Sequence, residues 1–404
     1  MKLTSGYPFF LIKDGLPFNY SKLETSLKTE VAILGGGISG ALVAYYLINA
    51  GIKCVVVDAR SIGLGSTCAS TSLLQYEIDT PLSQLKNLVG LDNAVRSYQL
   101  CKEAIEKTNS ISKKINYKEF KAVKSLYYAA NKKDSAFLKE EFEIRKQHGF
   151  QVKFLTQTQL KKQFNITAPC AILSQCAATI NAYSFTHALH QHSIKKGLQI
   201  FDRTPIKNIK HSKNSVTLTT ENGNTIHAKK LIYATGYEAV NFIKKDIVKL
   251  NSTYATISEQ ANKKTKFWKD EVVIWNTADP YLYMRTTADH RILVGGRDEE
   301  FFNPVKRDKL IDKKKNQLTK DFNALFPSIE FKPEFSWTGT FGATKDGLPF
   351  IGKYAPLPNS YFALGFGGNG ITFSLIAAQI ITDLITGKKN CDAAIFSFNR
   401  DENK

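Results

Sequence analysis

The 404-residue chain is poor in arginine and has no cysteine pair spaced C-x-x-C. Its six cysteines, Cys54, Cys68, Cys101, Cys170, Cys176 and Cys391, fall at irregular intervals. That pattern indicates neither a zinc site nor a disulfide framework, so reduced thiols in a cytoplasm are expected. Only nine of the 55 basic residues are arginine, and the lysines are dispersed along the whole chain in short runs such as Lys313 to Lys315. The net charge of +19 is therefore read as a lysine-rich solvated surface, and nucleic acid is not expected as a partner. An export signal is not expected either, because the apolar run Tyr7 to Ile12 is too short for a signal-peptide core. One uncharged stretch, Val31 to Ile52, is long enough to mimic a membrane span. Its five glycines and the β-branched run just beyond it argue for a strand–helix–strand unit, so no membrane span is expected. The length suffices for two or three domains and a buried cofactor.

The stretch TEVAILGGGISGALVAYYLINAGIKCVVVD, Thr29 to Asp58, organises the rest. Val31 to Leu34 has the apolar character of a buried parallel strand. Gly35, Gly37 and Gly40 complete G-x-G-x-x-G. The first glycine permits the tight turn, the second lets backbone approach a pyrophosphate, and the third lets helix pack on strand. A helix over Ile38 to Asn49 stops at Gly51, and a second strand, Lys53 to Val57, ends in Asp58. A carboxylate there accepts from ribose hydroxyls and would repel a 2′-phosphate. Strand, glycines, helix, strand and acid in that order indicate an ADP-containing dinucleotide other than NADP.

Further along, Gly65, Ser66 and Thr67 offer N–H and hydroxyl donors close to the end of the second strand. A helix is predicted over 81–115, a strand over 119–130 and a charged amphipathic helix over 132–149. Asn181 caps a helix running to Gly197, and strands follow at 215–219, 225–228 and 231–236, the last ending in A-T-G. His187, His190 and His192 lie on that helix without acidic or cysteine partners, so no metal site is expected and the rings are read as surface histidines. Residues 249–300 alternate as antiparallel strands, in which Tyr281, Tyr283 and Arg285 share one face. After a charged helix over 306–326, a second glycine pattern at Gly365, Gly367 and Gly370 joins the strand 361–364 to a helix over 371–386. No strand ending in an acid follows it. It is read as a glycine-wrapped helix N-terminus directed at something anionic or electron-rich.

GGGISG, the GST loop, ATG and GFGGNGIT, in that order, resemble the D-amino-acid-oxidase-like FAD-dependent oxidoreductases, the group of glycine, sarcosine and γ-glutamylputrescine oxidases. The resemblance implies an α/β chain, α+β overall. A Rossmann-like FAD-binding domain with a parallel sheet would comprise 1–85, 165–245 and 335–404. A substrate domain with a mixed or antiparallel sheet would comprise 86–164 and 246–334. It implies non-covalent FAD held by Gly35, Gly37, Ile38, Ser39, Gly40, Asp58, Ala59, Arg60, Gly65, Ser66, Thr67, Ile206 and Gly236. Gly367, Gly368, Asn369, Gly370, Ile371 and Thr372 would cap the flavin. The implied chemistry is oxidation of an amine C–N bond by hydride transfer to flavin N5, giving an imine that hydrolyses, with O2 or another acceptor taking the electrons. No acid or base residue is required if the amine binds neutral.

Where glycine-oxidase-like members are expected to carry an arginine before T-K-D-G, this chain has Phe341. A bidentate carboxylate clamp is lost there, so an amine whose carboxylate is distant or absent is the expected substrate. Phe341, Tyr281, Tyr283 and Arg285 are the candidate substrate contacts, with Arg285 placed to meet a remote acidic group. Other readings are an amino-acid oxidase of the glycine or sarcosine type, an enzyme acting on a modified tRNA nucleoside, and a flavoprotein without turnover.

Overall fold

The computed structural model describes residues 1–364 and 366–400; Gly365, the first glycine of the second pattern, lies outside them. The apolar runs read as buried strands form the centre of an eight-stranded sheet. Its order is Phe350–Lys353, Ser360–Leu364, Thr225–Tyr233, Leu27–Leu34, Cys54–Val57 and Gln199–Phe201. All these neighbours are parallel except the first pair. Strands buried on both faces need near-continuous apolar sequence, and Cys54–Val57 is buried throughout. The hairpin Ile206–His211 and Val216–Thr220 joins the sheet through the first residues of Thr225–Tyr233. That strand is continuous where the sequence suggested two, because the register from Ala228 opposite Thr29 to Lys230 opposite Val31 runs on unshifted.

Helix Ile38–Asn49 carries no charge and is buried almost all round, as a helix apolar on every face must be. It is sandwiched between Ala182–Ile194 and Gly370–Ile385 on one face of the sheet. A hydrogen bond of 2.8 Å between the Ser39 and Ser374 hydroxyls pins the latter pair. Each large apolar side chain enclosed there stabilises the fold by roughly 1.5–3 kcal/mol. Val31 to Ile52 is thus strand, turn and helix of this core. The segment Gly367–Ile385 is long and apolar enough to cross a membrane by composition, yet 67% of it is buried within the protein.

A ten-stranded, mostly antiparallel sheet stands against this unit. Its order is Thr4–Gly6, Pro333–Ala343, Lys249–Ser258, Ile292–Glu299, Tyr283–Thr286, Val273–Asn276, Lys121–Tyr128, Cys170–Thr179 and Leu73–Gln75, with Val152–Thr156 also on Cys170–Thr179. The pairing does not follow the expected segments: Leu73–Gln75, Cys170–Thr179 and Pro333–Ala343 come from stretches assigned to the nucleotide unit but hydrogen-bond into this sheet. Three strands pair on Cys170–Thr179, which binds the far-apart segments 73–75, 121–128 and 152–156 together. The helix expected over 81–115 is two, Leu82–Val89 and Leu91–Lys114, broken at Gly90 with φ of 82°. The charged helix of 306–326 is likewise Pro304–Lys309 and Ile311–Leu325.

Candidate active site

The C-terminal ends of Leu27–Leu34, Cys54–Val57 and Thr225–Tyr233 open into a cavity of about 660 Å³, whose far wall is the ten-stranded sheet. Ligand sites span about 300–1,000 Å³. At its mouth Gly35 turns with φ of 107°, and a Cβ at Gly40 would lie 1.9 Å from the Gly35 carbonyl oxygen. Only glycine lets the helix start this close to the strand. Asp58 accepts from the Gly36 N–H at 2.7 Å and the Arg60 N–H at 2.8 Å. Burial raises its carboxyl above the usual range despite both bonds. Thr67 Oγ1 accepts the Ile38 N–H at 3.0 Å, while Ser66 Oγ and Thr235 Oγ1, also on the cavity wall, are buried without partners. Buried hydroxyls rarely go unbonded, so these two await a polar ligand.

Arg60 forms a two-pronged ion pair with Glu238 at 2.7 and 2.9 Å, and the N-terminal ammonium meets the same carboxylate at 2.8 Å. Burial would raise Glu238, but Arg60 and the ammonium outweigh it and hold the carboxyl below its usual range. Glu238 escaped the sequence reading, although it sits two residues past A-T-G. The histidine expectation is overturned: His187 and His190 are buried and His192 is half-buried, because their helix packs against Ile38–Asn49 and the Tyr20 ring. Burial pushes His187 and His190 down to about 4, so both are neutral. His190 Nε2 lies 3.0 Å from the Gly36 carbonyl oxygen, which can only accept, so Nε2 carries the proton and braces the glycine turn. No group of three or more potential metal ligands occurs among the described residues.

Beyond the glycine turn the cavity reaches the N-terminus of Gly370–Ile385. Asn369 donates to the Glu77 and Gln75 carbonyls at 2.7 and 3.2 Å, and Gly368 N–H donates to Asp79 at 2.7 Å. Tyr237 closes on the Gly367 carbonyl at 3.3 Å. Of the expected cofactor residues, Gly35, Gly37, Ile38, Ser39, Asp58, Ala59, Arg60, Gly65, Ser66, Thr67, Ile206, Gly236, Gly367, Gly368, Asn369, Gly370 and Ile371 line this one cavity. Gly40 and Thr372 do not: Gly40 serves helix packing, and the buried Thr372 hydroxyl donates to the Asn369 carbonyl at 2.8 Å.

Phe341, Tyr281 and Tyr283, the candidate substrate contacts, line the same cavity together with Trp275. Arg285 does not. Its guanidinium donates to the carbonyls of Ser72 at 2.5 Å and Ile180 at 2.9 Å and lies over the Phe10 ring. Alternation puts it on the tyrosine face, but two buried carbonyls outbid the cavity for its donors. Two carboxylates missed in the sequence face the tyrosines instead. Asp79 lines the cavity, accepts from Tyr281 OH at 3.2 Å, and is raised by the surrounding protein. Asp298 is pushed up to about 7 by burial and by Asp79, and its Oδ1 is sealed from solvent without a partner. A register shift between Ser252 and Tyr254, which leaves Arg297 and Asp298 opposite Thr253, re-aims the strand here. Arg297 turns out to Asp321, and Asp298 turns in. Nothing in the residue pattern marks that bulge.

An elongated cavity with a glycine-lined helix start, unpartnered hydroxyls along one wall and a second helix N-terminus beyond fits FAD. The family model for FAD-dependent oxidoreductases matches residues 30–384. The chain is 23% identical over 398 residues to the γ-glutamylputrescine oxidoreductase of Escherichia coli, spanning 95% of this chain and 89% of that protein. It is 21% identical over 368 residues to the glycine oxidase of Bacillus subtilis, spanning 89% and 94%. The crystal structure of L-proline dehydrogenase from P. horikoshii superposes with a TM-score of 0.79 at 19% identity, covering 94% of this chain and 99% of that one. At that identity the structural likeness concerns the fold.

Proposed function

The chain belongs to the FAD-dependent oxidoreductase family, whose members act on amine or amino-acid substrates, and within it we propose that it oxidises an amine with no carboxylate beside the reacting nitrogen. The observation that carries this reading is the charge of the cavity. Among the described lining residues the arginine and lysine cations are Arg60 and Lys207, both grouped with the nucleotide-side strands and hairpin, whereas the tyrosine end holds Asp79 and Asp298. A carboxylate entering that end would lose its hydration and meet two acids and no guanidinium.

When bound, FAD supplies the acceptor for the hydride leaving the carbon next to nitrogen. Gly35, Gly37, Ser39, Asp58, Ser66, Thr67 and Thr235 would hold its ADP half, and Gly367 to Ile371 its flavin end. The N-terminus of Gly370–Ile385 would direct its positive dipole end toward the bound flavin and favour negative charge there. Trp275, Tyr281, Tyr283 and Phe341 give an alkyl chain an apolar lining and exclude water from it. FAD would be held without a covalent bond: no cysteine lines the cavity among the described residues, and Cys68 is buried with its thiol pushed up to about 11.

Restoring the clamp tests the reading. Phe341→Arg should lower kcat/KM for n-alkylamines and raise it for glycine or sarcosine, shifting their ratio by at least ~10-fold, about 1.4 kcal/mol of transition-state binding. An unchanged ratio in a protein that keeps its flavin would show that this position does not set substrate class.

A further inference from the structure

The acids at the tyrosine end are arranged for more than excluding a carboxylate. Neither Asp79 nor Asp298 has an ion-pair partner among the described residues. Lys314, whose charge acts on Asp298, is committed to Glu299 at 2.7 Å and to the Arg297 carbonyl at 2.6 Å. Asp298 lines the cavity, and its buried Oδ1 has no hydrogen-bond partner, so nothing within the protein neutralises this carboxylate by direct contact at that oxygen. Around the two carboxylates stand three aromatic rings: Trp275 and Tyr281 with centroids 6.1 Å apart at 78°, and Tyr281 and Tyr283 at 5.8 Å and 52°. Aromatic faces beside carboxylates are the surroundings that bind an alkylammonium, through cation–π attraction and charge-assisted hydrogen bonds. Trp275 is fixed in place by stacking on Tyr127 at 3.7 Å and by its N–H to Ser125 at 3.2 Å, so this wall is preorganised.

We propose that Asp79 and Asp298, walled by Trp275, Tyr281 and Tyr283, bind a second ammonium group of the substrate, so that the preferred substrate is a diamine or polyamine. The inference rests on the amine reading above. The nitrogen undergoing oxidation must present a lone pair and therefore binds neutral. An ammonium held by two carboxylates is kept protonated, so the charge they hold belongs to a different nitrogen of the same molecule. Tyr281 OH, donating to Asp79, fixes the orientation of that carboxylate.

The test compares 1,n-diaminoalkanes of three to six carbons with n-alkylamines of equal chain length. Binding is read by calorimetric titration of the dithionite-reduced holoenzyme, in which no turnover occurs, and oxidation by anaerobic flavin bleaching. At least one diamine should bind ~10-fold or more tighter than its matched monoamine. Asp298→Asn, which keeps shape and removes charge, should bring that ratio near one. Asp79→Asn provides the second arm. Equal wild-type affinity for the two series, or an Asp298→Asn variant that weakens both alike, overturns the diamine inference. Slower bleaching by both series with binding unchanged would mean the carboxylate serves the reaction itself, and also overturns it. If monoamines bleach the flavin but diamines gain nothing, the amine reading survives alone. If only glycine, sarcosine or D-alanine bleach it, the amine reading fails first.

Discussion

Replacing Gly40 by alanine perturbs the one contact on which the dinucleotide unit most depends. An added Cβ would sit 1.9 Å from the Gly35 carbonyl oxygen and 3.0 Å from its carbonyl carbon. Ordinary contact begins at 3.4 Å, so strand and helix must separate by 3.4 − 1.9 = 1.5 Å. The obstacle is backbone, so no side-chain rotation relieves it. Two bonds resist the movement: Ser39 to Ser374 at 2.8 Å and Ile38 N–H to Thr67 at 3.0 Å. Overpacking of this kind costs roughly 1–3 kcal/mol. Drawn from cofactor binding, that is a roughly 5- to 150-fold loss of FAD affinity. Apoprotein of the variant, titrated with FAD by flavin fluorescence, should show that loss. A Gly40→Ala protein that binds FAD within ~2-fold of wild type would show that the close approach of strand and helix is not what holds the dinucleotide unit in shape.

Arg145 is fully buried between Glu77 at 3.3 Å and Glu141 at 2.7 Å; Arg145→Ala should cost about 3–5 kcal/mol in denaturant unfolding by stranding buried carboxylates, against about 0.5 kcal/mol or less for Lys121→Ala at the exposed Glu271 pair. His187 and His190 have folded values near 4 against 6.5 unfolded, so their neutral forms stabilise fully above pH 6.5, and that stability is lost as pH falls toward 4. His190→Gln, which keeps a donor toward Gly36, should therefore lose less stability than wild type between pH 7 and 4.5; an equal loss would remove His190 from the account. Acid precipitation should leave the yellow colour in the supernatant, and colour retained in the pellet would show covalent flavin.

The nucleotide end was legible because its signals are local. Glycine spacing, the apolar run and Asp58 all act within thirty residues, and the backbone geometry they require admits few substitutes. The partners of those residues were not legible: Glu238 and His190 reach Arg60 and Gly36 across 178 and 154 positions. At the substrate end, strand alternation put Tyr281, Tyr283 and Arg285 on one face; the two tyrosines line the cavity, whereas the donors of Arg285 are claimed by the carbonyls of Ser72 and Ile180. Asp298 was hidden for a different reason. Its inward turn depends on a bulge between strands forty residues apart, and no periodicity records a register shift. Phe341 was informative only against the arginine expected of glycine-oxidase-like sequences, and the cavity it lines also holds Asp79 and Asp298.

The central claim is that this cavity oxidises an amine that carries no adjacent carboxylate. Anaerobic mixing of the FAD-loaded protein with n-alkylamines, diaminoalkanes, glycine, sarcosine and D-alanine, while the flavin absorbance is followed, tests it most directly. Members of the amine series should bleach the flavin saturably, at a limiting second-order rate at least ~10-fold above that of any of the three amino acids. Faster bleaching by glycine, sarcosine or D-alanine would contradict it and would place the carboxylate on some residue other than the arginine this chain lacks at position 341.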